Sequence, residues 1–104
     1  MESGSVRTIV AESVALIRTG VVACLDSQDD IEVVADVKQA SHVLPLARFL
    51  QPQVAVIAAS LPGQDGFTIA QALHEALPSC RSLILSGLAR KFVGGQVQAV
   101  GSLR

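Results

Sequence analysis

Apolar positions along this chain fall into four short runs separated by stretches with helical spacing. Val6 to Ala11 (VRTIVA) is a compact β-branched run and predicts a buried strand. Ser13 follows as a candidate helix cap. Val14, Ile17, Val21, Cys24 and Leu25 then recur every three or four residues, which predicts one apolar face of a helix. Ser27-Gln28-Asp29-Asp30 interrupts it, and Ile31 to Val37 (IEVVADV) predicts a second strand with partial alternation. Ser41 is the candidate cap of a second helix with Val43, Leu46, Ala47 and Leu50 inward. Pro45 is tolerated there only near the first turn. Val54 to Ala59 (VAVIAA) is continuously apolar, as in a central parallel strand covered on both faces. Leu61 to Gly66 (LPGQDG) is dense in turn formers and predicts a loop, with Asp65 and Gly66 setting the entry to a third helix. That helix turns Ile69, Ala70, Leu73 and Leu77 inward and closes at Pro78. Ser82 to Leu85 predicts a fourth strand. From Ala89 to Val100 the spacing is again helix-like, weakened by Gly94-Gly95, which together cost about 2 kcal/mol relative to alanines.

Strand and helix alternating with short connections predict an α/β fold: a doubly wound parallel sheet with right-handed crossovers. Half of the 104 residues are apolar, which suits a single compact domain spanning residues 1–104. At this size the buried surface sustains a core with little margin. Net charge is -1 and the aromatic residues are Phe49, Phe67 and Phe92, so neither a basic patch nor a base-stacking platform is expected. The first residues carry no secretory pattern, and no apolar run reaches the roughly 18 residues a membrane span needs. Cys24 on a helix face and Cys80 in a turn predict two reduced thiols and a cytoplasmic location.

Ligands of such sheets bind at the carboxyl ends of the strands. Those ends read Ala11-Glu12-Ser13, Ala58-Ala59-Ser60 and Ser86-Gly87. His42 and His74 fall on predicted polar faces, and no set of histidines or cysteines at ligand spacing predicts a metal. Ser13 or Ser60 as a hydrolytic nucleophile would need a base and an orienting group, and no G-x-S-x-G elbow occurs. An enzyme is not expected, nor a bound cofactor.

From Val6 to about Gly101 the chain resembles receiver domains of two-component response regulators, particularly those followed by a LuxR-type helix-turn-helix. The match is carried, in order, by VRTIVAES-x-ALIRTGV, SQDDIEVVADV, ARFLQPQVAVI, LPGQDGF and ALPSCRSLILS. The resemblance implies a flavodoxin-like receiver fold that stops before a fifth strand and fifth helix. It also implies a phosphorylation pocket at Glu12, Ser13, Ala58, Ser60 and Ser86, in degenerate form. Where the family has two metal-binding acids, this chain has Glu12 and Ser13. The phosphoacceptor aspartate lies four residues before the proline of the LPG turn, which here gives Ala58. Ser86 keeps the family's hydroxyl, and the family's lysine has no counterpart before Arg104. Glu12 alone is expected to hold Mg²⁺ poorly. Read without the family, Glu12 is a solvated carboxylate at a helix start, and Ser86 closes a strand end.

The expected role is regulatory: a receiver that homodimerises without aspartyl phosphorylation, contacting DNA only through a missing helix-turn-helix domain. With the fourth strand left as an edge and one sheet face partly uncovered, self-association is expected. Two alternatives stand beside it. One is a sensor binding an uncharged small molecule in the pocket of Ala58, Ala59, Ser13 and Ser86. The other is an interaction module that docks through the segment bearing Arg90, Lys91 and Phe92.

Overall fold

The structure, a computed structural model, describes residues 4–86. The segment expected as a helix from residue 89 to 100, with Arg90, Lys91 and Phe92, lies outside the described residues. Within them the order is β1 (Val6–Ala11), α1 (Ala15–Asp26), β2 (Ile31–Val37), a 3-10 turn (Ala40–His42), α2 (Val43–Leu50) and β3 (Val54–Ala58). There follow β4 (Ser60–Leu61), β5 (Gln64–Asp65), α3 (Gly66–Ala76) and β6 (Arg81–Leu85). The main sheet is parallel throughout, in the order β2-β1-β3-β6. Each predicted strand is present to within a residue: β1 and β3 are β-branched runs buried at the centre of the sheet, and β2 and β6, at most half-buried, flank them. β6 is the outermost strand on its side among the described residues.

Side chains alternate across the sheet. Ile9, Ala11, Ala55 and Ile57 join Val43, Ala47, Ile69 and Leu73 in one core beneath α2 and α3. Val10 and Val56, also buried, alternate to the opposite side, where α1 covers β1 and β2. The inward faces predicted for α2 and α3 are those observed: Val43, Ala47, Ile69 and Leu73 are buried. His42 and His74 are exposed.

Three local expectations are corrected. On α1 the sheet-facing stripe is Arg18, Val21, Val22 and Leu25, whereas Ile17 and Cys24 are exposed. Hydrophobic spacing alone put Ile17 and Cys24 inward, because it does not count an arginine as an inward residue. Ser13 does not cap α1, whose cap position is held by Val14 without a side-chain bond. Ser41 lies within the 3-10 turn and likewise caps nothing, since α2 is entered from that turn rather than from an extended residue. Pro45 sits in the first turn of α2, where its missing N–H costs no bond.

The sequence LPGQDG is a hairpin rather than a plain loop. Ser60 pairs with Asp65 and Leu61 with Gln64, around Pro62 and a Gly63 at φ 87°. Proline followed by a positive-φ glycine is the residue order of a type II turn. Asp65 then caps α3, its Oδ1 accepting from the Thr68 backbone N–H at 2.8 Å and its Oδ2 from the Thr68 hydroxyl at 3.2 Å.

Candidate functional site

The five predicted pocket residues lie at the carboxyl edge of the sheet. β1 and β3 are in register at Ala11 and Ile57, and β3 and β6 at Ala58 and Leu85. Glu12 therefore lies level with Ala58, and Ser86 one residue beyond. Ser60 begins the hairpin that leaves this edge and is exposed; Ser13 and Ser86 are half-buried. Ala58, the last residue of β3, is 4% exposed and belongs to the core cluster.

Glu12 is not the solvated carboxylate expected from the sequence. It is 6% exposed. Its backbone N–H donates to the Val37 carbonyl at 3.0 Å, and its Oε2 accepts from the Val14 N–H at 2.9 Å. The carboxylate thus satisfies a free N–H at the entry to α1, the role expected of Ser13. The longer side chain reaches this donor from one position earlier.

Two residues that sequence reasoning missed complete this corner. Arg18 donates from Nη1 to the Glu12 carbonyl at 3.0 Å, and its Nε lies 3.3 Å from Asp36 Oδ1. Asp36 reaches α1 because the pairing of β1 with β2 slips by one residue between Thr8 and Ile9, which sets Asp36 opposite Val10. Val10 faces the α1 side, so Asp36 does too. The available signal was Arg18 three residues before Val21 and seven before Leu25, on the inward stripe. Replacing Arg18 by alanine is expected to cost about 1–2 kcal/mol, from one partly exposed ion pair and one charge-assisted bond to a carbonyl. Lysine should recover little, since one ammonium cannot reproduce two directed donors. Urea denaturation of the three proteins checks this.

The donor set does not fit Mg²⁺. The cation prefers octahedral oxygen and is normally held by one or two carboxylates. Here Glu12 is engaged by Val14, Asp36 by Arg18, and Ala58 offers a methyl group. Among the described residues no three His, Cys, Asp or Glu side chains are grouped to hold a metal. Both cysteines are free, with Cys24 exposed and Cys80 buried, and burial pushes the Cys80 thiol above its ordinary pKa. A cleft of about 410 Å³ opens elsewhere, at the amino ends of β3 and β6, lined by Gln51, Gln53, Val54, Leu77, Ser79 and Arg81.

No family model matches the chain. Among solved structures, the signal receiver domain of NarL from Mycobacterium tuberculosis superposes with a TM-score of 0.78 at 31% identity, covering 86% of this chain and 71% of that one. The chain belongs to the response-regulator receiver family. Its parallel sheet with flanking helices is the flavodoxin-like receiver fold, and its relatives are of the NarL/LuxR type, in line with the LuxR-type subfamily expected from the motifs. The receiver is also 28% identical over 81 residues to the oxygen regulatory protein NreC of Staphylococcus haemolyticus, covering 77% of this chain and 37% of that protein. It is 29% identical over 99 residues to a protein-glutamate methylesterase/protein-glutamine glutaminase of Methanococcoides burtonii, covering 95% of this chain and 27% of that enzyme. The receiver thus spans between about a quarter and two fifths of the curated relatives it matches. Among the described residues no helix is long and apolar enough to cross a membrane.

Proposed function

We propose that this receiver is the regulatory domain of a cytoplasmic transcription regulator and works by association of two copies, without aspartyl phosphorylation. The observation that carries this reading is the buried methyl of Ala58 at the end of β3, level with a Glu12 whose carboxylate accepts from the Val14 backbone N–H. A methyl group cannot attack a phosphoryl donor. Arg18 bridges α1 to the ends of β1 and β2. RcsB, which shares the fold at 20% identity, has been solved as dimers bound to DNA. In the present protein, contact with DNA would fall to a helix-turn-helix domain, because the receiver has a net charge of -1 and few aromatics. The cleft at the amino ends of the strands lies away from the degenerate pocket, so it adds nothing to the small-molecule reading.

Incubation with Mg²⁺ and a small phosphodonor, or with beryllofluoride, tests the proposal. The intact mass and the fraction of dimer are expected to stay unchanged. A covalent phosphate on the folded protein, or a shift in the dimer fraction, would overturn it.

A further inference from the structure

The cleft of about 410 Å³ at the amino ends of β3 and β6 has two walls. One is the connection from α2 into β3, from Gln51 to Val54, and the other is the connection from α3 into β6, with Leu77, Ser79 and Arg81. Backbone bonds hold the first wall in place. The Gln53 N–H donates to the Arg7 carbonyl at 2.8 Å, and the Gln53 carbonyl accepts from the Arg81 N–H at 2.9 Å. Gln51 sits at φ 52°, in the left-handed region that a glutamine occupies only when its surroundings hold it there. Its N–H closes on the Ala47 carbonyl at 2.8 Å, and its own carbonyl accepts from Arg7 Nη1 at 3.0 Å. The cleft is therefore framed by main chain and does not depend on solvated side chains for its shape.

The side chains that reach it are mostly donors. Gln53 Oε1 accepts from the Arg7 backbone N–H at 2.9 Å, which fixes the amide and leaves the two N–H groups of Nε2 to donate elsewhere. Arg81 is exposed, and among the described residues the one carboxylate–cation pair is Arg18 with Asp36. Ser79 adds an exposed hydroxyl. Gln51 is committed the other way, its Nε2 donating to the Arg48 carbonyl at 2.9 Å. One amide oxygen thus stands against three donor side chains. Pro52, buried, with Val54 and Leu77, half-buried, supplies the apolar part of the lining.

We propose that this cleft binds a small organic monocarboxylate, with the carboxylate on Arg81, Gln53 Nε2 and the Ser79 hydroxyl and a short aliphatic tail on Pro52, Val54 and Leu77. Guanidinium takes a carboxylate through two parallel N–H bonds, and the neutral donors match its remaining lone pairs. The volume lies within the roughly 300–1,000 Å³ of small-molecule sites, near the lower end. One negative charge suits it better than two. Arg81 is the cation of the lining, Arg7 is spent on the carbonyls of Leu50 and Gln51, and α2 and α3 both end at this edge with their partly negative carbonyl termini. A doubly charged phosphate would meet that field with too little positive charge. The site lies at the opposite edge of the sheet from Glu12 and Ala58, so it stands or falls apart from the proposed self-association.

The test titrates the full ¹⁵N-labelled chain at neutral pH and constant ionic strength with butyrate, butanol and inorganic phosphate. Butyrate is expected to give saturable shifts in the Gln53 side-chain amide and in the Ser79 and Arg81 backbone signals. Butanol, with the same tail and no charge, and phosphate should each bind at least about tenfold more weakly. Arg81→Gln should weaken butyrate by about tenfold or more and leave butanol unaffected. Gln53→Glu keeps an oxygen for the Arg7 N–H and replaces the donor by a negative charge, so it should abolish butyrate binding. Both residues are exposed, and both variants should keep the wild-type melting curve. A wild type without saturable shifts, butanol bound as tightly as butyrate, or an Arg81→Gln protein with wild-type butyrate affinity overturns the site. Phosphate bound as tightly as butyrate overturns its assignment to a monocarboxylate.

Discussion

Gly66→Ala is expected to destabilise the receiver by at least about 3 kcal/mol, lowering the melting temperature by more than roughly 10 °C for a domain of this size. Gly66 opens α3 directly against the end of β3. A Cβ there would overlap the Ala58 carbonyl oxygen, lying 2.9 Å from its carbon and 3.1 Å from the Ala59 Cα. These are backbone atoms at the end of the central strand β3 and of the residue after it, so no flexible side chain can swing aside. The helix cannot retreat either. The Gly66 N–H donates to the Ala59 carbonyl at 2.8 Å, and Ile69 and Leu73 sit in the core one and two turns further on. Asp65→Ala provides the comparison, because it removes the cap of the same helix without moving it and should cost about 1 kcal/mol. Urea denaturation midpoints of both variants decide the matter. If Gly66→Ala unfolds no earlier than Asp65→Ala, the close approach is not what fixes α3 to the site.

That contact explains why the short LPGQDG segment carries so much of the fold. Pro62 and Gly63 turn the chain, Asp65 caps the helix, and Gly66 permits the approach that brings α3 onto β3. All four residue types were legible in the sequence as turn formers. Their arrangement as a hairpin was not, because two-residue strands have no periodicity to read. The four long strands were legible for the opposite reason: each is a largely apolar run of five to seven residues bounded by turn formers, buried in β1 and β3 and at most half-buried in β2 and β6.

The site was legible in outline and misread in detail. Ala58 was placed at the end of the third strand by its distance from Pro62 within the family pattern, and it is the last residue of β3. Glu12 was expected in solvent, yet it is buried, because a strand end followed by a helix leaves free N–H groups that a neighbouring carboxylate can reach. Arg18 and Asp36 escaped notice altogether. Finding them required the one-residue slip between β1 and β2, and the pattern IEVVADV does not reveal where a register shifts. Once Arg18 is seen to point inward, the phase of α1 follows, and with it the exposure of Leu16, Ile17 and Cys24. One undetected ion pair therefore accounts for both the missed site residues and the misphased helix.

Restoring an acceptor by Ala58→Asp is expected to weaken the receiver rather than revive it. The side chain would enter a position 4% exposed, within the core cluster and level with Glu12. Burial and the neighbouring acid both disfavour its charged form, so its pKa rises above the ordinary carboxylate value. Arg18, already bonded to Asp36 and the Glu12 carbonyl, offers little relief. The expected cost near neutral pH is about 3 kcal/mol, comparable to a buried polar group left without a partner. The sign of its pH dependence follows from the raised pKa. Well below the unfolded value of about 4, the acid is protonated in both states and carries no charge penalty. As pH rises through the gap between the unfolded and folded values, the unfolded chain ionises first and stability is lost. The deficit against wild type should accordingly be larger at pH 8 than at pH 5, whereas Ala58→Asn, uncharged and nearly isosteric with Asp, should show the same deficit at both. Mg²⁺ should not rescue Ala58→Asp alone, since the position after Glu12 is a serine; adding Ser13→Asp should make the stability respond to the cation. Chemical denaturation at the two pH values, with and without Mg²⁺, reads all of these. An Ala58→Asp protein as stable as wild type that accepts phosphate from a small donor would mean that the pocket lacks nothing but its nucleophile.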